Sequence, residues 1–302
     1  MAAANGTVRG TARDEGADRM RTGSATPASM IDRVVRVIDA FDGPAHLSLA
    51  EVVRRTALPR SSVHRILERL VAVRWLVREG NRYRLGLRML ELGSLVLQQD
   101  RIRDAATPFM HQLATASRSV VHLAVLDGTE IVYLEKIGAP RGTDLPSRTG
   151  GRAPAYCTAV GKALLAYADD DAVQRVVDAG LRARTPFTVT DPGRFRRELR
   201  RVRESGAAFD REEAVRGVGC VAAAVRGPGA PVAALSVCGP IRRLDFGRLT
   251  PAVQHAAQRI WRAAGAPPVQ DRPRTAERAG AGGWPSGALD AWATWPRLTD
   301  WF

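Results

Sequence analysis

The stretch "LPRSSVHRILERL", Leu58 to Leu70, sets an apolar stripe of Val63, Ile66, Leu67 and Leu70 at helical spacing behind a proline. With Val63 facing a core and about 100° of turn per residue, Ser61, Arg65 and Glu68 fall on the opposite face. Ser62, His64 and Arg69 flank them, and Arg60 sits in the first turn. Loading the front of a short helix with hydrogen-bond donors suits a polyanion. Free N–H groups at a helix start receive phosphate, and an arginine can reach guanine edges in a major groove.

The neighbours strengthen this reading. "SMIDRVVRVIDAF" carries Ile31, Val34, Val35, Ile38 and Phe41 on one helical face, with Ser29 available as its cap. "SLAEVVRRTAL" opens with Ser48 and Glu51, the S-x-x-E pattern in which each group satisfies the other's backbone. After the Leu58–Leu70 helix, "WLVREGNRYRLG" reads as two strands around a Gly-Asn turn. Arg82 and Arg84 alternate there with Tyr83, so both point one way, toward DNA phosphates or a minor groove. Three helices and a hairpin in so short a span predict a winged helix-turn-helix, mostly α with a β-hairpin wing. The plain alternatives are that surface arginines only solvate the fold and that Ser61 or Ser62 is a simple helix cap.

Beyond it, "LRMLELGSLVLQQ" is amphipathic and reads as a linker or a dimer seam, and Pro108 marks a break or kink in the helix that follows. From about Ser119 the texture changes to α+β with antiparallel hairpins. "VVHLAVLDGTEIVYLEKI" turns at Asp127-Gly128, and "GCVAAAVRGPGAPVAALSVCGP" turns at a Gly-Pro-Gly. The expected organisation is a disordered tail over 1–28, the DNA-binding domain over 29–86, a linker helix over 87–100, an α+β domain over 101–266 and a Pro/Gly/Trp-rich tail over 267–302. That last tail holds four of the six tryptophans; Trp292, Trp295, Leu298 and Trp301 or Phe302 fall at the spacing of one face of a short helix, which Pro296 opposes.

Composition narrows the class. A net charge of +14 attracts polyanions, but all but two of the basic residues (Lys136 and Lys162) are arginine, a skew that GC-rich coding also produces. Three widely spaced cysteines fit neither a disulfide framework nor a C-x-x-C metal site. No apolar run is long enough for a membrane span, and no secretory signal opens the chain. A reduced, cytoplasmic protein with no cofactor, no metal and no membrane partner is expected.

The stretches "LPRSSVHRILERL", "YRLGLRMLELG", "TAVGKALLA", "GAAFDREEAVRGVGCVAAAV" and "AALSVCGP" occur in this order. Through them the sequence resembles the IclR family of bacterial transcriptional regulators over about residues 29 to 265. The resemblance implies a winged helix-turn-helix, a linker helix and a C-terminal GAF-like α+β domain with an antiparallel sheet that binds a small metabolite. It also implies a homodimer or homotetramer on double-stranded DNA at a pseudopalindromic operator. For the effector it implies the N–H groups of Ala159 and Val160 and the side chains of Asp210, Cys220, Ser236 and Cys238. The residue types agree with it: Ser236 and Cys238 share a strand face, and Thr158 can cap a helix whose first N–H groups then receive a carboxylate. A small organic acid is the expected effector class. Cys238 stands where the family's strand has a second serine, and Tyr156 where a histidine is frequent, so an effector with a bulkier or less polar edge is expected.

Two other functions compete. "VGKALL" invites a phosphate-loop reading, but the preceding glycine is missing and Ala163 replaces the Ser or Thr that would hold magnesium. Asp210, Glu212 and Glu213 resemble acid–base carboxylates, yet no nucleophile with a neighbouring base accompanies them. A thiol switch at Cys220 and Cys238 is the second competitor, though no sequence feature beside either cysteine lowers its pKa.

Overall fold

The computed structural model describes residues 29–98, 100–138, 145–229 and 231–265. Both expected tails, 1–28 and 267–302, lie outside the described residues. The chain forms two compact units that divide between Gly86 and Leu87.

In the first unit, helix α1 (Met30–Asp39) and helix α2 (Leu49–Thr56) each begin with a reciprocal capping box, Ser29 with Asp32 and Ser48 with Glu51. A two-residue strand β1 (Leu47–Ser48) precedes α2 and was not foreseen from sequence. Helix α3 (Arg60–Ala72) follows, then β2 (Leu76–Glu79) and β3 (Arg82–Leu85), giving a three-stranded sheet in the order β1-β3-β2. The expected stripe of Val63, Ile66, Leu67 and Leu70 is buried against Val37, Val52, Leu76 and Tyr83.

The turn between α2 and α3 rests on Ala57, whose φ of 53° places a residue with a Cβ in the left-handed region that glycine prefers. Its amide closes on the Val53 carbonyl and α2 ends there. Ala57 is exposed, so a smaller residue leaves no cavity. Ala57→Gly is therefore expected to raise stability by up to about 1 kcal/mol, read as an upward shift of the denaturation midpoint.

The second unit begins with α4 (Leu87–Gln98), which carries exposed Leu87, Leu90, Leu95 and Val96. Helix α5 (Arg101–Ser117) follows and continues through Pro108 without a break. Its buried stripe of Ile102, Ala106, Met110 and Leu113 packs on the sheet on both sides of the proline and outweighs the one lost hydrogen bond. Next come β4 (Val120–Asp127), β5 (Glu130–Ile137), β6 (Arg152–Pro154), α6 (Ala159–Leu165), α7 (Asp170–Asp178), α8 (Pro192–Ser205), β7 (Ala208–Arg211), β8 (Val218–Val225), β9 (Ala233–Pro240) and α9 (Phe246–Ala263). The strands form one antiparallel sheet in the order β6-β5-β4-β9-β8-β7.

Strand alternation divides the core in two. Val121, Leu123, Val221, Leu235 and Val237 meet α5 and α9 on one face. Ala124, Ala222, Ala234, Cys220 and Cys238 meet α6 on the other. The first face carries branched side chains and the second small ones, so α6 does not fill the space above the second.

Candidate effector pocket and nucleic-acid face

On α3, Arg60, Ser61, His64, Arg65 and Arg69 are exposed and Ser62 is half-buried. Pro59 stands at the N-cap with no side-chain cap, so neither Ser61 nor Ser62 caps the helix; they occupy its first turn. The first-turn N–H groups therefore stay open to an anion. Glu68, the one acid on this face, is drawn toward the wing, where it accepts hydrogen bonds from the Tyr83 hydroxyl and Arg78, both at 3.2 Å. That leaves the arginines of α3 without an acidic neighbour on their own helix. The two wing arginines differ from this picture. Arg84 is tied to Glu79 at 2.6 Å, and Arg82 lies 3.8 Å from Glu51. Both stand opposite buried Tyr83, on the face expected, but each is partly neutralised. Arg78 also belongs to the wing surface and was not picked out from sequence.

In the second unit, a cavity opens between the small-residue face of the sheet and the start of α6. Its empty volume is about 570 Å³, the open space at its mouth included. All six expected effector residues line it: Ala159, Val160, Asp210, Cys220, Ser236 and Cys238. Register explains the convergence. Asp210 stands opposite Cys220, Cys220 opposite Cys238, and Ser236 opposite His122 across three strand pairs.

The pocket also contains side chains that sequence reasoning missed. The His122 ring stacks at 4.7 Å on Tyr133, and its Nε2 meets Ser147 Oγ at 2.7 Å. Its Nδ1 is buried with no partner among the described residues. Arg184 contributes to the wall from the loop after α7. The available signal was one polar ring at an inward position of the apolar strand "VVHLAVL".

At the entrance to α6, Thr158 Oγ1 accepts from the Gly161 amide at 3.2 Å, as capping requires. Gly161 cannot carry a side chain, because a Cβ there would stand 2.2 Å from the Ala155 carbonyl oxygen. One turn on, Lys162 is fully buried and bridges Glu198 at 2.5 Å and Glu213 at 2.6 Å. Burial works against its charge, but the two carboxylates outweigh that and hold its pKa above the usual value. The lysine of "VGKALL" is thus a structural tie between α6, α8 and the loop after β7.

Asp210 is 2% exposed, and its Oδ1 accepts from the Glu213 amide at 2.7 Å. Burial is the largest influence and exceeds the opposing pull of Lys162 and of that amide, so its pKa is pushed up to about 8. The carboxyl is protonated at neutral pH and can donate into the pocket.

A helix-turn-helix unit joined to a separate α+β unit whose largely apolar pocket carries a few polar side chains is the build of a transcriptional regulator. Two family profiles match: the IclR helix-turn-helix domain over residues 30–80 and the bacterial transcriptional regulator IclR C-terminal domain over residues 94–262. The chain is 31% identical to the transcriptional regulator KdgR of Escherichia coli over 237 residues, which span 76% of this chain and 90% of KdgR. It is 30% identical to the Pca regulon regulatory protein of Pseudomonas putida, over 76% of this chain and 80% of that protein. Among solved structures, an IclR homologue from Microbacterium hydrocarbonoxydans complexed with 4-hydroxybenzoate superposes with a TM-score of 0.71 at 31% identity, covering 78% of this chain and 99% of that one. The Thermotoga maritima IclR structure gives 0.65 at 28% identity, covering 78% of this chain and 98% of that one. The chain belongs to the IclR family and is a DNA-binding transcriptional regulator.

Proposed function

We propose that this regulator binds a pseudopalindromic operator as a dimer or a pair of dimers, and that a small organic acid in the pocket sets its operator affinity. The observation that carries the reading is the convergence of Asp210, Cys220, Ser236 and Cys238 with the start of α6 on one cavity. Arg60, Ser61, Ser62, His64, Arg65 and Arg69 read the duplex from α3, and Arg82 and Arg84 support them from the wing. The ligand carboxylate takes the Ala159 and Val160 amides, while Asp210, His122 and Ser236 hold its polar substituents. Cys220 and Cys238 give the wall a softer, less polar patch than hydroxyls would. The 4-hydroxybenzoate of the Microbacterium relative supports an aromatic or similarly compact acid. The apolar face of α4, with Leu87, Leu90 and Leu95 exposed, supports pairing of two chains through that helix. A dimer places two copies of α3 about one helical turn apart on DNA.

Selection of sites from a random duplex pool, followed by anisotropy titration with a panel of carboxylates, tests this. Enrichment of an inverted repeat, with its affinity changed by one of the acids, is expected. Equal binding to selected and random duplexes at moderate salt would overturn it.

Asp210 adds a pH signature. Its pocket pKa of about 8 means that ionisation above that pH places a negative charge beside the bound carboxylate. Affinity for an acid that is already ionised should stay level from neutrality to about pH 8, then weaken by up to tenfold per unit. Asp210→Asn keeps the acceptor for the Glu213 amide and should flatten the profile. Isothermal titration across this range reads both.

A further inference from the structure

We infer that Cys220 and Cys238 form a covalent modification site, a cross-strand dithiol that a hydroperoxide oxidises to an intramolecular disulfide. The two residues stand directly opposite each other on β8 and β9 and point to the same face of the sheet. Directly opposed residues of an antiparallel pair have Cα atoms about 4.5–5.5 Å apart, within the roughly 4.4–6.8 Å that a disulfide spans. Because the register already sets the two side chains directly across from one another, closure needs side-chain rotation and little backbone movement. Both line the cavity, which admits bodies the size of water, so a molecule as small as hydrogen peroxide reaches them although they are only 9% and 5% exposed.

The surroundings make the two sulfurs unequal. Burial raises the cost of a thiolate at Cys238, but the Cys220 thiol, the His122 ring and Ser236 outweigh it and bring the Cys238 pKa down. The hydrogen bond to Cys238, together with burial, pushes Cys220 up. Ser236 Oγ lies 3.5 Å from Cys238 Sγ, and His122 stands opposite Ser236 on the neighbouring strand. Cys238 is therefore the attacking sulfur and Cys220 the resolving one. The third cysteine offers a contrast: Cys157 is fully buried, and its thiol is pushed up to about 12, first by burial and then by Asp210.

The chemistry balances with one peroxide. The Cys238 thiolate attacks an oxygen of hydrogen peroxide, an S–O bond forms as the O–O bond breaks, and the departing hydroxide leaves as water with the Cys238 proton. The sulfur of Cys220 then attacks the sulfenic sulfur. An S–S bond forms, the S–O bond breaks, and the hydroxyl leaves as a second water with the Cys220 proton. The thiols lose two electrons and the peroxide gains them. The bridge replaces both S–H donors of the wall with a disulfide. This site does not depend on any effector occupying the pocket.

The test is a peptide map of the full-length chain treated with hydrogen peroxide and digested with trypsin without reductant. Cleavage after Arg216, Arg226 and Arg242 puts Cys220 and Cys238 on adjacent, separable peptides, while Cys157 falls on a third. The expected product is the first two peptides linked, released by dithiothreitol, with Cys157 still open to alkylation after unfolding. Cys220→Ser should leave Cys238 as a sulfenic acid that dimedone captures, and Cys238→Ser should leave Cys220 unreacted. Should either variant fail to fold, the wild-type map decides alone. Two unlinked peptides with free or overoxidised thiols, or a bridge that involves Cys157, would overturn the inference.

Discussion

Lys162→Met is expected to lower the stability of the second unit by about 3–5 kcal/mol, the usual cost of removing one partner from a buried ion pair. The ammonium is fully buried between Glu198 and Glu213, and Glu213 is itself 6% exposed with its Oε2 unpartnered among the described residues. Without the lysine, Glu213 must keep an unpaired charge in the core or take up a proton. Burial already pushes its pKa up, against the pull of Lys162. For a unit of this size the loss corresponds to a fall in Tm of roughly 6–20 °C. The double variant Lys162→Met with Glu213→Leu should recover much of it, because a packed apolar pair carries no desolvation cost. Equal Tm values for wild type and Lys162→Met, measured by calorimetry, would show that the triad is solvated and contributes nothing.

Arg65→Ala is expected to cost about 1–3 kcal/mol of operator affinity, roughly 5- to 150-fold, with relaxed preference at one base position in each half-site. Arg65 lies on the outer face of α3, opposite the stripe that holds the helix to its unit, with Glu68 turned away to Arg78 and Tyr83. Among the described residues nothing uses its guanidinium, so the variant should fold with unchanged Tm. Arg82→Ala should differ in kind, weakening operator and random duplex alike and lowering the salt dependence by about one phosphate contact. Because Arg84 is engaged with Glu79 at 2.6 Å, Arg84→Ala should matter less than Arg82→Ala. Anisotropy titrations on both duplexes at two salt concentrations separate these outcomes. Equal losses on operator and random DNA for Arg65→Ala would remove it from base recognition.

Local chemistry alone accounts for much of the fold. The capping boxes at Ser29 and Ser48, the stripe from Val63 to Leu70 and the hairpin turns at Gly80-Asn81 and, one residue later than expected, at Gly128-Thr129 each involve groups a few residues apart, so their pattern is readable along the chain. The same holds for Ser236 and Cys238, whose shared face follows from strand alternation. Strands β1, β6 and β7 were not legible, because two to four residues carry too little periodicity and each exists by pairing with a longer neighbour. Pro108 shows the reverse: the helix break that its local chemistry favours yields to packing on both sides of it.

The sequence by itself determined that a capped, arginine-faced helix and wing precede an antiparallel α+β unit, since those features arise from neighbours along the chain. Only the tertiary structure decided what the pocket contains and what holds it in place. Lys162 meets Glu198 and Glu213 across 36 and 51 residues, and the Cys220–Cys238 and His122–Ser236 pairs exist only once the strand register is set. Register and helix docking are global solutions to burying both faces of one sheet, and no short window of residues encodes them.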